Sequence, residues 1–315
     1  MGEVHRLLTT RGKQAVLEES ALPRDVVEAA AAYMAAEDSP LAVAYSGWAQ
    51  CALPHRKTPN EALWVVESDR VRLVVEPGHK ASGRKGDGPI EAVGVPYGSY
   101  ARLIMLYLQT EALRTNSREV ELGGSWRAWM SRIGVPWGGS SGKAVREQAD
   151  RIARCRLTFH VQGQGRAALV NQNIIDRADW AESVFDGIDE SQGRLSLETA
   201  KLSEGFFEQL KRHPVPLEEN AIKALANNSA ALDVYIWLAY RLHSLTGPRA
   251  VTWKALKAQF GTSYKELYHF KARFPDLLSL ATAVYPDAKL EVADEGVILK
   301  PSRPPVSPRL IQVGS

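Results

Sequence analysis

A chain of 315 residues is long enough for two domains, and 45% hydrophobic with 24% charged residues excludes a disordered or fibrous protein. A net charge of +3 demands no acidic partner by itself, and two cysteines, Cys51 and Cys155, without a CxxC pair exclude a cysteine-built zinc or iron–sulfur site. No run of eighteen apolar residues occurs and MGEVHRLLTTRGK lacks a signal-peptide core, so a cytoplasmic protein with no membrane partner is expected.

Taken in chain order, residues 1–22 are polar and read as loosely ordered. Pro23 opens an Ala-rich helix to about Glu37. From Leu63 to Glu76, two β-branched strands flank a polar turn. Residues 77–96 hold five glycines and three prolines and read as a linker or mobile loop. A helix spans Ser99 to Arg114, and Arg118–Leu122 is a short strand. Ser125 caps a helix that Gly134 stops. The turn VPWGGSS leads into a helix over Gly142–Cys155. Leu157–Val161 and Ala167–Ile175 then form a hairpin. An acidic loop follows over 178–193, then a strand over Arg194–Leu202 and a helix over Glu204–Arg212. Pro214 and Pro216 mark a boundary. Helices over Leu217–Ala226 and Ala230–Leu245 come next, with a strand at Arg249–Thr252 and a helix at Trp253–Phe260. A basic helix starts at Ser263, and Lys289–Val292 with Gly296–Leu299 make a hairpin.

This list contains a repeat. SWRAWMSRIGV (125–135) and TWKALKAQFGT (252–262) align Trp126 with Trp253, Arg127 with Lys254, Ala128 with Ala255 and Gly134 with Gly261. Each copy follows a long apolar helix and a short strand, and each precedes a basic helix and a hairpin. That order is the order of a winged helix. The predicted fold class is therefore α+β, with tandem winged-helix domains and a small N-terminal extension. Residues 1–95 supply the helix, hairpin and linker, 96–213 the first winged helix, 214–302 the second, and 303–315 a Pro-rich tail.

Charge distribution points the same way. From Arg102 to Arg156 there are ten Lys/Arg against five Asp/Glu, whereas acidic residues predominate from Asp176 to Glu208. In the first basic helix Val145, Ala149 and Ile152 share one face. Lys143, Arg146, Glu147, Asp150 and Arg154 lie opposite, with Arg151 at the edge. A recognition helix needs this division between a packed side and a donor-bearing side. The alternative is a solvated amphipathic helix with internal pairs such as Arg146–Asp150. In the second basic helix Leu267, Phe270 and Phe274 are expected inward, and Lys265, His269 and Arg273 outward, with Tyr264 at its approach. Pro275 predicts a kink or break. The candidate DNA contacts are Ser141, Lys143, Arg146, Glu147, Arg151, Arg154 and Arg166 in the first unit, and Tyr264, Lys265, His269 and Arg273 in the second. His55, Arg56 and Lys57 in LPHRKTP are candidate backbone contacts, an ordinary surface loop being the alternative.

Two glycine-rich stretches are weighed and set aside. GGSSGK (138–143) lacks the first glycine and the final Ser/Thr of a phosphate loop and follows a helix. Its helix-start amides beside Lys143 still suit a DNA phosphate. GQGRAA (163–168) precedes strand-like sequence, so it reads as a hairpin turn with Arg166 available to a phosphate or minor groove. No catalytic signature or metal cluster is found, so no enzyme activity, catalytic residue, metal or cofactor is expected. Trp126, Trp129, Trp237 and Trp253 are read as core anchors.

The segments YSGWAQCALPHRK (45–57), VGVPYGSYARLIMLYLQTEALRTNSREVELGGS (93–125), AVREQADRIARCRLTF (144–159), LSEGFFEQLKRHPVPL (202–217) and Ala231–Gly261 resemble the plasmid-encoded RepA family of replication initiators. The resemblance implies a cytoplasmic protein that binds direct repeats in double-stranded DNA at a plasmid origin, opens AT-rich DNA and recruits host helicase and initiator. It also implies dimers that repress their own promoter and monomers that initiate. Rival readings are a winged-helix transcriptional regulator without an initiation role, a nucleotide-dependent enzyme, and a scaffold for acidic partners.

Overall fold

Strand pairings between distant segments decide which parts of this chain belong together. The computed structural model describes residues 2–68, 71–82, 88–163, 166–178 and 199–306. They fall into two units: an inserted unit, Leu53–His213, and a composite unit built from the segments before and after it.

The chain starts in the composite unit with α1 (Glu3–Glu19), α2 (Arg24–Met34), β1 (Leu41–Tyr45) and α3 (Ser46–Gln50). The residues expected to be loose at the N-terminus are helical. α1 turns at Gly12, whose φ of 76° suits glycine. It buries Val4, Leu8 and Val16, and the ring Nε2 of His5 lies 2.8 Å from the Ala283 carbonyl oxygen. That docking is long-range, which local polarity does not reveal.

The inserted unit begins with β2 (Trp64–Glu67), β3 (Val71–Glu76), β4 (Gly78–Ala81) and β5 (Ile90–Gly94). It continues with α4 (Gly98–Arg114), β6 (Glu119–Glu121), α5 (Trp126–Arg132) and α6 (Gly139–Arg154). It ends with β7 (Arg156–Gly163), β8 (Arg166–Asn173), β9 (Ile175–Ala178), β10 (Thr199–Leu202) and α7 (Glu204–Arg212). The hairpin β2–β3 is not part of an extension: β3 pairs antiparallel with β7, giving a sheet in the order β2-β3-β7-β8. Nor are residues 77–96 a linker, because β4 and β5 pair with each other. The reason is the alternation of Val71, Leu73 and Val75, a buried row on one face of β3 that needs the β7 row Leu157 and Phe159 beside it. β6 pairs with β10 in the order β6-β10-β9, not with the β7–β8 hairpin.

The chain returns to the composite unit with β11 (Pro214–Glu218), α8 (Glu219–Ala224), α9 (Ser229–Leu242) and β12 (Arg249–Thr252). It closes with α10 (Trp253–Phe260), α11 (Leu267–Ala283), β13 (Lys289–Ala293) and β14 (Gly296–Lys300). β1 pairs antiparallel with β11, with Val43 opposite Pro216 and Tyr45 opposite Pro214. The last three strands form a sheet in the order β12-β14-β13. α11 starts at Leu267, four residues later than expected, and runs unbroken past Pro275 to Ala283. Proline removes one helical hydrogen bond. Here Phe270, Phe274 and Leu278 bury one face on both sides of it, and Phe274 stacks within 4.9 Å of Phe270 and 5.5 Å of Phe260. The packing outweighs the missing bond.

Burial raises the Glu218 carboxyl above the ordinary carboxylate range, against a hydrogen bond from Tyr33. Its Oε2 has no partner among the described residues. A carboxyl raised on folding supports the fold most below its unfolded pKa, and that support is lost as pH rises through the folded value. The stability of Glu218→Gln relative to the parent should therefore increase from pH 4 to pH 7, read from paired thermal melts; a pH-independent difference is the opposing result.

Candidate nucleic-acid interface

Two helix pairs share one local design. Ser125 Oγ accepts from the Ala128 amide at 3.2 Å and starts α5; Thr252 Oγ1 accepts from the Ala255 amide at 3.2 Å and starts α10. These side chains satisfy an amide left over at each helix start. The following tryptophans, Trp126 and Trp253, are buried. Gly134, with φ of 73°, ends the turn after α5. After Gly261, a Cβ would meet the Phe270 ring at 2.6 Å, so glycine lets α11 pack close to α10.

α6 begins at Gly139, three residues before the sequence reading placed it. The amides before Gly142, the first to bond back to the Gly138 carbonyl (2.8 Å), are the free helix-start donors. Ser141 Oγ donates to the carbonyls of Pro136 (2.8 Å) and Gly138 (3.1 Å), so it closes the turn. Lys143 is exposed. Arg146 is half-buried, its guanidinium 5.5 Å from the Trp126 ring centre. The pair with Asp150 is made by Arg154 at 2.6 Å, not by Arg146, and Lys80 lies 3.7 Å away.

Arg151 is a correction. Its side chain is 3% exposed. It donates to the Val95 carbonyl (3.1 Å), Asn60 Oδ1 (3.1 Å) and Glu147 Oε1 (2.9 Å), and stacks 5.1 Å over the Tyr97 ring. No base edge can reach it. Glu147 is likewise engaged, accepting from Arg151 and from the Tyr97 hydroxyl (3.4 Å) and lying 3.5 Å from Lys57 Nζ. Gly94 has φ of +84°, and a Cβ there would come within 2.0 Å of Arg151 Nη1. The end of β5 and this guanidinium are fitted to each other.

The segment 53–57 is held from behind. Arg102, buried on α4, donates to the carbonyls of Leu53 (2.8 Å) and Pro54 (3.3 Å) and lies 3.3 Å from His55 Nδ1. His55 is thus partly covered, while Arg56 and Lys57 are exposed. Lys57 and Glu147 bring this segment to α6, a juxtaposition that a separation of 90 positions conceals. Arg166 pairs with Gly163 at the base of the β7–β8 turn, whose residues 164–165 lie outside the described residues.

In the composite unit, Tyr264 packs edge-on to Phe270 at 5.7 Å and supports the turn. Lys265 is exposed in that turn rather than on a helix. His269 and Arg273 are exposed one helical turn apart on α11. Leu267, expected inward, is 42% exposed at the first position of the helix. Sequence reasoning passed over Tyr268, which is 64% exposed, and Trp137 before α6, which is 49% exposed. An aromatic outside the apolar period of its helix was the available signal. Among the described residues no group of three or more His, Cys, Asp or Glu could hold a metal ion, and no helix is long and apolar enough to cross a membrane.

The architecture is α+β, with a basic helix after a capped helix and a tight turn in each unit. The sequence profile described as "Plasmid encoded RepA protein" matches residues 95–255, just over half of the chain. The chain belongs to this family of plasmid replication initiators. Among solved structures it is similar to the selenomethionine form of domains 2 and 3 of RctB, with a TM-score of 0.54 and 12% identity over 84% of this chain and 99% of that one. A second structure of RctB domains 2–3 aligns with a TM-score of 0.48 and 12% identity, over 82% and 97% of the two chains. No curated protein matches.

If Arg151 is a structural clamp, Arg151→Ala should cost on the order of 2–3 kcal/mol in chemical denaturation, through buried acceptors left unpaired. Gly94→Ala should destabilise in the same direction. A base reader would instead leave the denaturation midpoint unchanged and lose only DNA affinity.

Proposed function

We propose that this protein is a non-enzymatic, sequence-specific DNA-binding initiator that recognises direct repeats at a plasmid origin through two winged helices. The observation that carries the reading is the shared order of both units: long helix, short strand, capped helix, turn, helix, hairpin. In the composite unit the sheet order β12-β14-β13 puts the strand between the helices against the hairpin, as a winged helix requires. In the inserted unit the corresponding hairpin is enlarged by β2–β3 and the short strand pairs elsewhere. That unit is an elaborated winged helix.

The contacts follow from exposure. Lys143 beside the free amides of the α6 start takes a phosphate. Arg56 and Lys57 extend that backbone contact. Arg146, with one face against Trp126, presents its remaining donors to a base edge. Lys265, His269 and Arg273 serve α11. The hairpin of the composite unit is a different matter: its tip, Asp294–Glu295, is exposed and acidic. Its job is internal, since the Asp294 carbonyl accepts from Trp253 Nε1 (2.9 Å) and Lys271 Nζ (2.6 Å). In this reading bound repeats nucleate opening of AT-rich DNA, host helicase and initiator are recruited, and a dimeric form represses the protein's own promoter.

A circle carrying the cognate repeats should replicate only when the protein is supplied. In gel shifts, affinity should fall about 10³–10⁵-fold between 50 and 200 mM salt if roughly 6–10 phosphates are contacted. Lys143→Ala should weaken all duplexes alike, whereas Arg146→Ala should cost about 1–3 kcal/mol and relax one base position. A flat salt response, or a circle that replicates without the protein, overturns the reading.

A further inference from the structure

The two basic helices do not offer DNA the same chemistry. On α6 most charges are used internally: Arg151 and Glu147 with each other, Arg154 with Asp150. On α11, His269 and Arg273 form no ion pair among the described residues, and the uncharged Tyr268 and Ala272 lie beside them, with Asp276 exposed one turn further along. Tyr268 and Ala272 are exposed one turn apart, next to the row of His269 and Arg273, and Leu267 is exposed at the helix start. Leu267 and Tyr268 occupy the first turn, the part of a recognition helix that meets base edges.

We infer that Tyr268, with Ala272 one turn along the same face, is a specificity-determining apolar strip that reads the 5-methyl groups of thymines in the major groove. This rests on the proposed DNA-binding function. A thymine methyl is the one apolar group on the major-groove edges, and an apolar side chain is its complement. The strip is flanked by Lys265 and Arg273, whose charge suits the phosphates on either side of a groove, and by the imidazole of His269, while the exposed Glu266 and Asp276 mark its two ends. Finally, Tyr268 is held rather than loose: its ring lies 3.9 Å from that of His269, an edge contact that limits its rotamers before any DNA arrives. An aromatic fixed in place loses little freedom on binding. An interface with a protein is the other occupant an exposed Leu–Tyr pair could have, but the cationic flank favours the duplex.

The test begins with the wild-type protein and a random-sequence duplex library, from which repeated selection yields a preferred site. Each thymine of that site is then replaced by deoxyuridine, which removes only the methyl group. The wild type should lose affinity at one or two positions by about fivefold to tenfold, the worth of one buried methyl group or slightly more. Tyr268→Ala should show the same loss on the thymine site and no further loss at those deoxyuridine positions. Its affinity for random duplex and its melting temperature should stay near wild type. A conservative Tyr268→Phe should restore the discrimination. If wild type selects a site but deoxyuridine is neutral everywhere, the thymine inference is wrong while the DNA-binding reading stands. The inference also falls if Tyr268→Ala alters only the oligomeric state in sedimentation. If wild type selects no site at all, the proposed function itself fails.

Discussion

A helix that carries six charged residues in sixteen can present a chosen few of them to a partner only if the others are neutralised at fixed positions. In α6 that constraint is met by the Arg151 guanidinium. It satisfies a backbone carbonyl at Val95, a side-chain amide at Asn60 and the Glu147 carboxylate, all within 3.1 Å. Arginine can serve three acceptors and a ring face at once because its donors form a planar fork. Lysine could not. The arrangement ties α6 to the end of β5 and to the loop before β2, and through Glu147 to Lys57. What remains on the outward side is a short row ending in Lys143.

The composite unit solves the same problem by packing. Phe260, Phe270 and Phe274 form a contiguous aromatic cluster that seats α11 against α10, and Trp253 stands edge-on to Phe274 at 6.3 Å. Lys271 adds one anchor by reaching the hairpin carbonyl of Asp294. With the helix held by apolar contact, its polar side chains are left to solvent. One unit therefore spends charge to hold its helix and the other spends aromatic surface. This difference explains why helices with similar sequence roles end with different outer faces.

Much of the local structure could be read directly from residue order. The caps at Ser125 and Thr252, the buried Trp126 and Trp253, and the apolar faces of α4 and α9 follow from rules that span a few residues. What escaped was set by contacts at a distance. Pairing of β1 with β11 joins segments 173 residues apart, and no local period encodes that choice. The polar start of α1 hid four buried side chains because they belong to a helix that packs on α2 and reaches Ala283 through His5. Arg151 looked like a groove contact because its helical angle sits at the border between faces. Only the position of Val95 and Asn60 decides that it points inward. At Pro275 a sound local rule was outweighed by aromatic burial.

The strand β1 has consequences for how the polypeptide is made. It is synthesised before the inserted unit, but β11, its partner, follows only after that whole unit has been made. The inserted unit has all its own strands and can close first, while the first fifty residues wait with Val43, Ala44 and Trp48 uncovered. During that interval the nascent protein carries a sticky, unpaired edge of the sort that chaperones shield. Completion of the composite unit thus waits on β11: α11 gains its scaffold only after the inserted unit has been made.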